Sequence, residues 1–168
     1  MEKIFKVINE MHQKGILKDY AIGGAVATIY YTEPFSTKDI DIFFIHPEKE
    51  KVILLTPFYD FLLKKGYKTY KEYIMIGGTP IQFIPASTEL EKDAVENAIL
   101  VKYRNIDVKI LRPEYLIAIF LKVYRPKDRD KLIKLLDQAN IDKTFLSDIL
   151  EKHNLDKKFN DFMKKYYE

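Results

Sequence analysis

Two aspartates separated by one apolar residue, in Lys38-Asp39-Ile40-Asp41-Ile42, and a Gly23-Gly24 pair upstream of them are the residues of this chain best suited to chemistry. In a strand, successive side chains point to opposite faces, so Asp39 and Asp41 are expected to project side by side while Ile40 and Ile42 turn to the core. Two carboxylates on one face of an apolar strand repel each other and are costly to desolvate unless a cation sits between them; a divalent metal meets that need. Glycine lets the main chain approach a ligand closely, and a strand-turn-helix with glycine at the bend offers unpaired N–H groups and a positive helix end to phosphate. A metal-binding strand beside a phosphate-binding bend is the minimum equipment for moving a phosphoryl or nucleotidyl group. The bland alternative is a tight turn next to a solvated strand edge, but Ile40-Asp41-Ile42-Phe43-Phe44-Ile45 is too apolar for a free edge.

The run Gly23-Gly24, fourteen intervening residues, then Asp39-Ile40-Asp41-Ile42 resembles the signature of the DNA polymerase beta-like nucleotidyltransferase superfamily. There an apolar residue, Gly, and Gly or Ser precede an Asp-apolar-Asp/Glu-apolar strand. The gap is similar to that of small bacterial members, including toxins of the abortive-infection type IV class, and Ser36-Thr37-Lys38 before the acids also resembles them. The resemblance implies transfer of a nucleoside monophosphate from an NTP such as ATP to a hydroxyl acceptor. It implies Mg²⁺ or Mn²⁺ on Asp39 and Asp41, and triphosphate held by the Gly23-Gly24 backbone and by Ser36, Thr37 and Lys38. The acceptor stays open among a small molecule, a protein and an RNA 3′ end.

In this superfamily a later strand beside the acidic one supplies a third carboxylate, and the corresponding position here is Gln82, in Ile81-Gln82-Phe83-Ile84-Pro85. Glutamine is neutral and cannot replace a carboxylate as base toward an attacking hydroxyl. A second reading follows, in which the protein binds nucleotide but turns over little and serves as a sensor or as one half of a toxin-antitoxin pair with a cognate antitoxin. Glu89, Glu91, Asp93 or Asp107 could stand in for the missing acid, against the alternative of a solvated helix or strand face.

Arg112 to Leu136 resembles the helical segment of small bacterial nucleotidyltransferases, where a Pro-Glu-x-Leu helix ends near a Lys and an Arg/Lys-Asp-x-x-Asp motif follows. Carried across, Lys122 would contact triphosphate, while Arg125, Lys127 and Asp128 would form the polar face opposite the sheet. The competing reading of Arg125, Lys127 and Arg129 is a helix-helix corner held by surface ion pairs, and both stay open. Lys122 stands out because the helix around it is otherwise apolar.

These residues need elements to position them. Apolar spacing predicts helices over Glu2 to Ile16, Ala25 to Tyr31, Glu48 to Lys65, Ser87 to Ala98, Glu114 to Tyr124, Lys131 to Ala139 and, with a break near His153-Asn154 and Asp156 as a cap, Ile141 to Glu168. Strands are predicted at Tyr20 to Ile22, across Asp39 to Ile45, and near Tyr67 to Tyr70. Further strands fall at Tyr73 to Ile76, Ile81 to Ile84, Ile99 to Tyr103 and Ile106 to Leu111. Gly77-Gly78 reads as a hairpin turn, since strands flank it on both sides. The expected fold is α/β (α+β): a nucleotidyltransferase core over 1–111 with a small mixed sheet flanked by helices, and a C-terminal helical segment, 112–168, packed on it as one compact unit.

At 168 residues, 47% hydrophobic and 32% charged, the chain is of globular composition, and its formal charge of +3 does not announce a nucleic-acid binder. Twelve tyrosines could suggest an RNA-binding module, but they are scattered over presumed core positions instead of interleaved with Lys and Arg. The absence of cysteine excludes disulfides and thiolate metal sites. No apolar run approaches a membrane span and Met1 to Leu17 is charged and amphipathic, so a cytoplasmic setting with no membrane partner is expected.

Overall fold

The structure is a computed structural model that describes residues 1–47 and 56–168. Helix α1 (Glu2–Gln13) buries Ile4, Phe5, Val7, Ile8 and Met11, and Gly15, at a left-handed φ of 71°, turns the chain into strand β1 (Asp19–Ile22). Next come α2 (Gly24–Tyr31), β2 (Ile40–Ile45), α3 (Thr56–Lys64), β3 (Lys68–Tyr70), β4 (Tyr73–Ile76) and β5 (Thr79–Pro85). Then follow α4 (Glu89–Glu96), β6 (Ile99–Tyr103), β7 (Ile106–Ile110), α5 (Pro113–Val123), α6 (Pro126–Gln138), α7 (Lys143–Lys152) and α8 (Asp156–Tyr166). The predicted helix over Glu48 to Lys65 thus appears from Thr56, and its first eight residues lie outside the described ones.

Among the described residues the strands form one seven-stranded mixed sheet in the order β3-β4-β5-β2-β1-β7-β6. Its centre, β2, runs antiparallel to β1 and parallel to β5. Both faces of β2 are covered, which explains its nearly continuous apolar sequence. Ile40, Ile42 and Phe44 enter a core shared with α1 and with Phe58 and Leu62 of α3, whereas Phe43 enters a second core with Leu90 of α4, α5, α6 and α7. That second core joins Ala21 and Phe43 of the sheet to Leu116, Leu132, Leu146 and Phe162 of the C-terminal helices.

Three local features differ from the expectation and bear on the site. Strand β2 begins at Ile40, so Asp39 stands just outside it, at the end of the incoming loop. Helix α6 begins at Pro126, not at Lys131, so Arg125 to Asp130 are its N-cap and first turns. Proline at N1 costs no hydrogen bond, and the Asp128 carboxylate accepts the Arg125 backbone N–H at 3.1 Å, which starts the helix. Finally, Leu155 and not Asp156 is the N-cap of α8. Between α5 and α6, Tyr124 adopts φ 56° and ψ 38°, a left-handed conformation uncommon for a bulky residue, and so folds α6 back over the sheet. Gly77-Gly78 does join β4 to β5 as a hairpin. Among the described residues no helix is long and apolar enough to cross a membrane.

Candidate active site

Strand register brings four residues into a row. Asp41 lies directly opposite Gln82 in the parallel β2–β5 pair. On the other flank, the Gly23 N–H donates to the Asp41 carbonyl at 2.9 Å, one step beyond the Ile22–Ile42 pair. Continuing the β4–β5 register by one residue from Ile74–Ile81 sets Tyr73 beside Gln82. Alternate residues of these strands fill the α1/α3 core, so the row Gly23, Asp41, Gln82, Tyr73 faces the helices on the opposite side.

Both glycines are required sterically. A Cβ on Gly23 would penetrate the Phe43 ring, and one on Gly24, where φ is 56°, would fall inside the Asp41 carboxylate. The start of α2 therefore sits against that carboxylate with no side chain between them. Buried Thr28 braces the turn, its hydroxyl donating to the Gly24 carbonyl at 2.9 Å.

Asp41 and Gln82 of this row open into a cleft of about 200 Å³ between sheet and helices, while Gly23, Tyr73 and Asp39 lie beside its lining residues and not among them. Gly24, Asp41 and Gln82 line the sheet side, Arg125, Asp128 and Lys131 line the α6 side, and Phe43, Ile84, Leu116 and Ile119 contribute apolar wall. Asp128 is fully buried and orients both cations: Arg125 Nε donates to its Oδ2 at 2.9 Å and Lys131 Nζ to its Oδ1 at 3.4 Å. Burial raises the Asp128 carboxyl, but the bonds from Arg125 and the Lys131 charge outweigh it and hold the pKa below the ordinary value. Asp41 goes the other way. Burial first, and Asp39 second, push it up to about 6, although Lys131 and Arg125 pull against them. This carboxylate carries negative charge that the protein alone leaves incompletely compensated.

Asp39 accepts from the Thr37 hydroxyl at 3.4 Å on Oδ1 and from the Tyr73 hydroxyl at 3.5 Å on Oδ2. Among the described residues no group of three His, Cys, Asp or Glu side chains converges to hold a metal ion. Two carboxylates fit a hard cation such as Mg²⁺, which takes one or two protein oxygens and completes its shell with water and substrate phosphate.

Other residues singled out from sequence fall in varied places. Arg125 lines the cleft; Ser36, Lys38 and Lys127 are exposed and are not among the lining residues, and the Thr37 hydroxyl turns to Asp39. Lys122 is also exposed and outside the lining, its carbonyl accepting from Lys158 at 3.2 Å. Lys131, which sequence reading did not single out, stands in the cleft. Its signal was available, since Lys131 is three residues from Asp128 on one helix face once α6 starts at Pro126. Glu91 reaches the cleft wall, but its Oε2 accepts from the Ser87 N–H, the Ser87 hydroxyl and the Thr88 N–H, capping α4. Asp93 pairs with Lys152 and His153, and Asp107 with Lys102, both away from the cleft. A larger, shallow hollow of about 430 Å³ over Glu2, Lys3, Lys6, Val7 and Glu10 is bounded by the solvent-facing charges of α1, several of them ion-paired.

This seven-stranded mixed sheet with its helical cover matches nucleotidyltransferase-like folds. Over 97% of the chain and 93% of the other, it superposes on an antigenic nucleotidyltransferase-like protein from Paracoccidioides brasiliensis with a TM-score of 0.55 at 16% identity. It likewise resembles the antibiotic-resistance factor ANT(2'')-Ia over 98% of this chain and 91% of that one, with a TM-score of 0.52 at 12% identity. No protein-family model and no curated protein matches the sequence.

Proposed function

We propose that the protein is a nucleotidyltransferase that moves a nucleoside monophosphate from a nucleoside triphosphate to a hydroxyl acceptor. The observation that carries this reading is the half-buried Asp41 carboxylate, pressed against the bare Gly24 backbone and faced by Arg125 and Lys131. In this reading Asp39 and Asp41 hold Mg²⁺ or Mn²⁺, which on binding supplies charge to the phosphates and polarises the phosphorus under attack. The chain's own groups do the rest. The main chain at Gly23-Gly24 cradles phosphate because no Cβ intervenes. Arg125 and Lys131, fixed by Asp128, neutralise the charge that develops on the departing pyrophosphate. Residues 1–111 act as the transferase core, and the helices of 112–168 close the cleft within the same unit.

A second reading is favoured by one observation: the residue directly opposite Asp41 is Gln82, which cannot serve as a base. In that reading the protein binds nucleotide and metal with little turnover, as a sensor or a toxin-antitoxin component. Incubation with each radiolabelled NTP, Mg²⁺ or Mn²⁺, and total tRNA or cell extract separates the two. Labelled product that disappears in the Asp39→Ala, Asp41→Ala double variant supports transfer. Metal-dependent NTP binding with no product supports the second reading, and no binding at all defeats both.

A further inference from the structure

We propose that Tyr73 is itself a nucleotidyl acceptor of this site, so that the protein modifies its own β4 strand with a nucleoside monophosphate. The inference rests on the transferase reading and adds a substrate group to it. The Tyr73 hydroxyl lies 3.5 Å from Asp39 Oδ2, on the strand that flanks the Gln82 side of the row.

The polarity of the centre supports this assignment. Arg125, Lys131 and the Gly24 bend surround Asp41 on the side toward α2 and α6, so the triphosphate and its leaving pyrophosphate belong there. In an in-line displacement the attacking oxygen enters opposite the leaving group. That opposite side is built by β5 and β4, whose row residues are Gln82 and Tyr73. Gln82 offers no carboxylate to take a proton from an incoming hydroxyl, whereas the Tyr73 hydroxyl already faces one in Asp39. The Thr37 hydroxyl also reaches Asp39, but it bonds to the Asp39 main-chain carbonyl as well, which ties it to the loop.

The step balances. Tyr73 Oη forms a bond to the α-phosphorus, the bond from that phosphorus to the bridging oxygen breaks, and its electron pair leaves with pyrophosphate. The phenolic proton passes to Asp39 Oδ2. The product is a tyrosine joined to the nucleoside monophosphate through a phosphodiester.

The full-length chain is incubated with each NTP and Mg²⁺ or Mn²⁺, and the intact mass and peptide map are read. The expected result is a mass gain of one nucleoside monophosphate located on Tyr73, with complete loss in Tyr73→Phe and in the Asp39→Ala, Asp41→Ala variant. Label retained in Tyr73→Phe, or located on Thr37 or elsewhere, overturns the proposal. A second readout needs no turnover: in protein with carbon-labelled tyrosine, metal plus an α,β-methylene NTP analogue is expected to shift the Tyr73 ring resonances most among the twelve tyrosines. Unshifted Tyr73 signals at saturating analogue also overturn it. Calorimetry of NTP and metal with the wild type and Tyr73→Phe separates the two levels. Binding in both without label on Tyr73 sinks only this inference, whereas no binding in the wild type sinks the transferase reading with it.

Discussion

Replacing Asp41 by asparagine isolates what the site costs the fold. The Asp41 carboxyl is raised from 3.8 to about 6, chiefly by burial and then by Asp39, and Arg125 and Lys131 only partly offset this. At roughly 1.4 kcal/mol per pH unit, the ionised side chain destabilises the folded state by up to about 3 kcal/mol. The sign follows from linkage. Below about pH 4 the carboxyl is protonated in folded and unfolded chains alike and costs nothing; the cost grows from about pH 4 to about pH 6 and is constant above. Asparagine keeps the shape and never ionises, so in chelator the metal-free Asp41→Asn variant should be more stable than wild type at about pH 7.5 and equal to it at about pH 3.5. For a chain of this length the gain at neutral pH corresponds to roughly 6–12 °C in melting temperature. Urea or thermal melts at the two pH values measure it, with Asp107→Asn, at an exposed ion pair, as the control expected to change little. An Asp41→Asn variant no more stable than wild type at neutral pH, or more stable by the same amount at both, refutes the claim that the fold holds Asp41 at a disadvantage.

Gly24→Ala places a methyl group inside the Asp41 carboxylate at a left-handed φ; it should cost about 2–4 kcal/mol in chemical denaturation, and the Gly24→Ala, Asp41→Ala double variant should recover part of that. Lys131→Ala should weaken metal-dependent NTP binding about tenfold or more, as expected for loss of a charge-assisted phosphate contact, while Lys122→Ala leaves it unchanged; calorimetry in which Lys122→Ala is the more damaging would reverse this assignment. Gln82→Glu sets a second carboxylate directly opposite Asp41 and should tighten Mn²⁺ binding, with equal affinity in both proteins counting against Gln82 facing the site.

Much of the architecture was legible before any coordinates. The strand, Gly-Gly bend, helix and acidic strand over Tyr20 to Ile45 and the Gly77-Gly78 hairpin follow from apolar periodicity and turn chemistry, whereas Gln82 was singled out only by the family resemblance, and the register sets it opposite Asp41. Those signals are local, because each reports only which side of its own element must leave water. The start of α6 was not legible. Its first turns are polar where they face the cleft, so apolar spacing begins only at Leu132 and hides the alignment of Arg125, Asp128 and Lys131. Asp39 fell just outside its strand for a related reason, since alternation marks the apolar positions and not the residue at which pairing begins.

Sequence alone determined that two acids and a glycine bend lie close along the chain, because only fourteen residues, a short helix included, separate them and each borders a predicted strand. Tertiary structure decided which partners those acids meet. Tyr73 reaches Asp39 through a strand register set by two pairings, Lys131 and not Lys122 lines the cleft because of how α5 and α6 dock, and Gly24 is required because of a carboxylate seventeen residues away. Registers and helix docking depend on the summed packing of both cores, and no local pattern of residues encodes that sum.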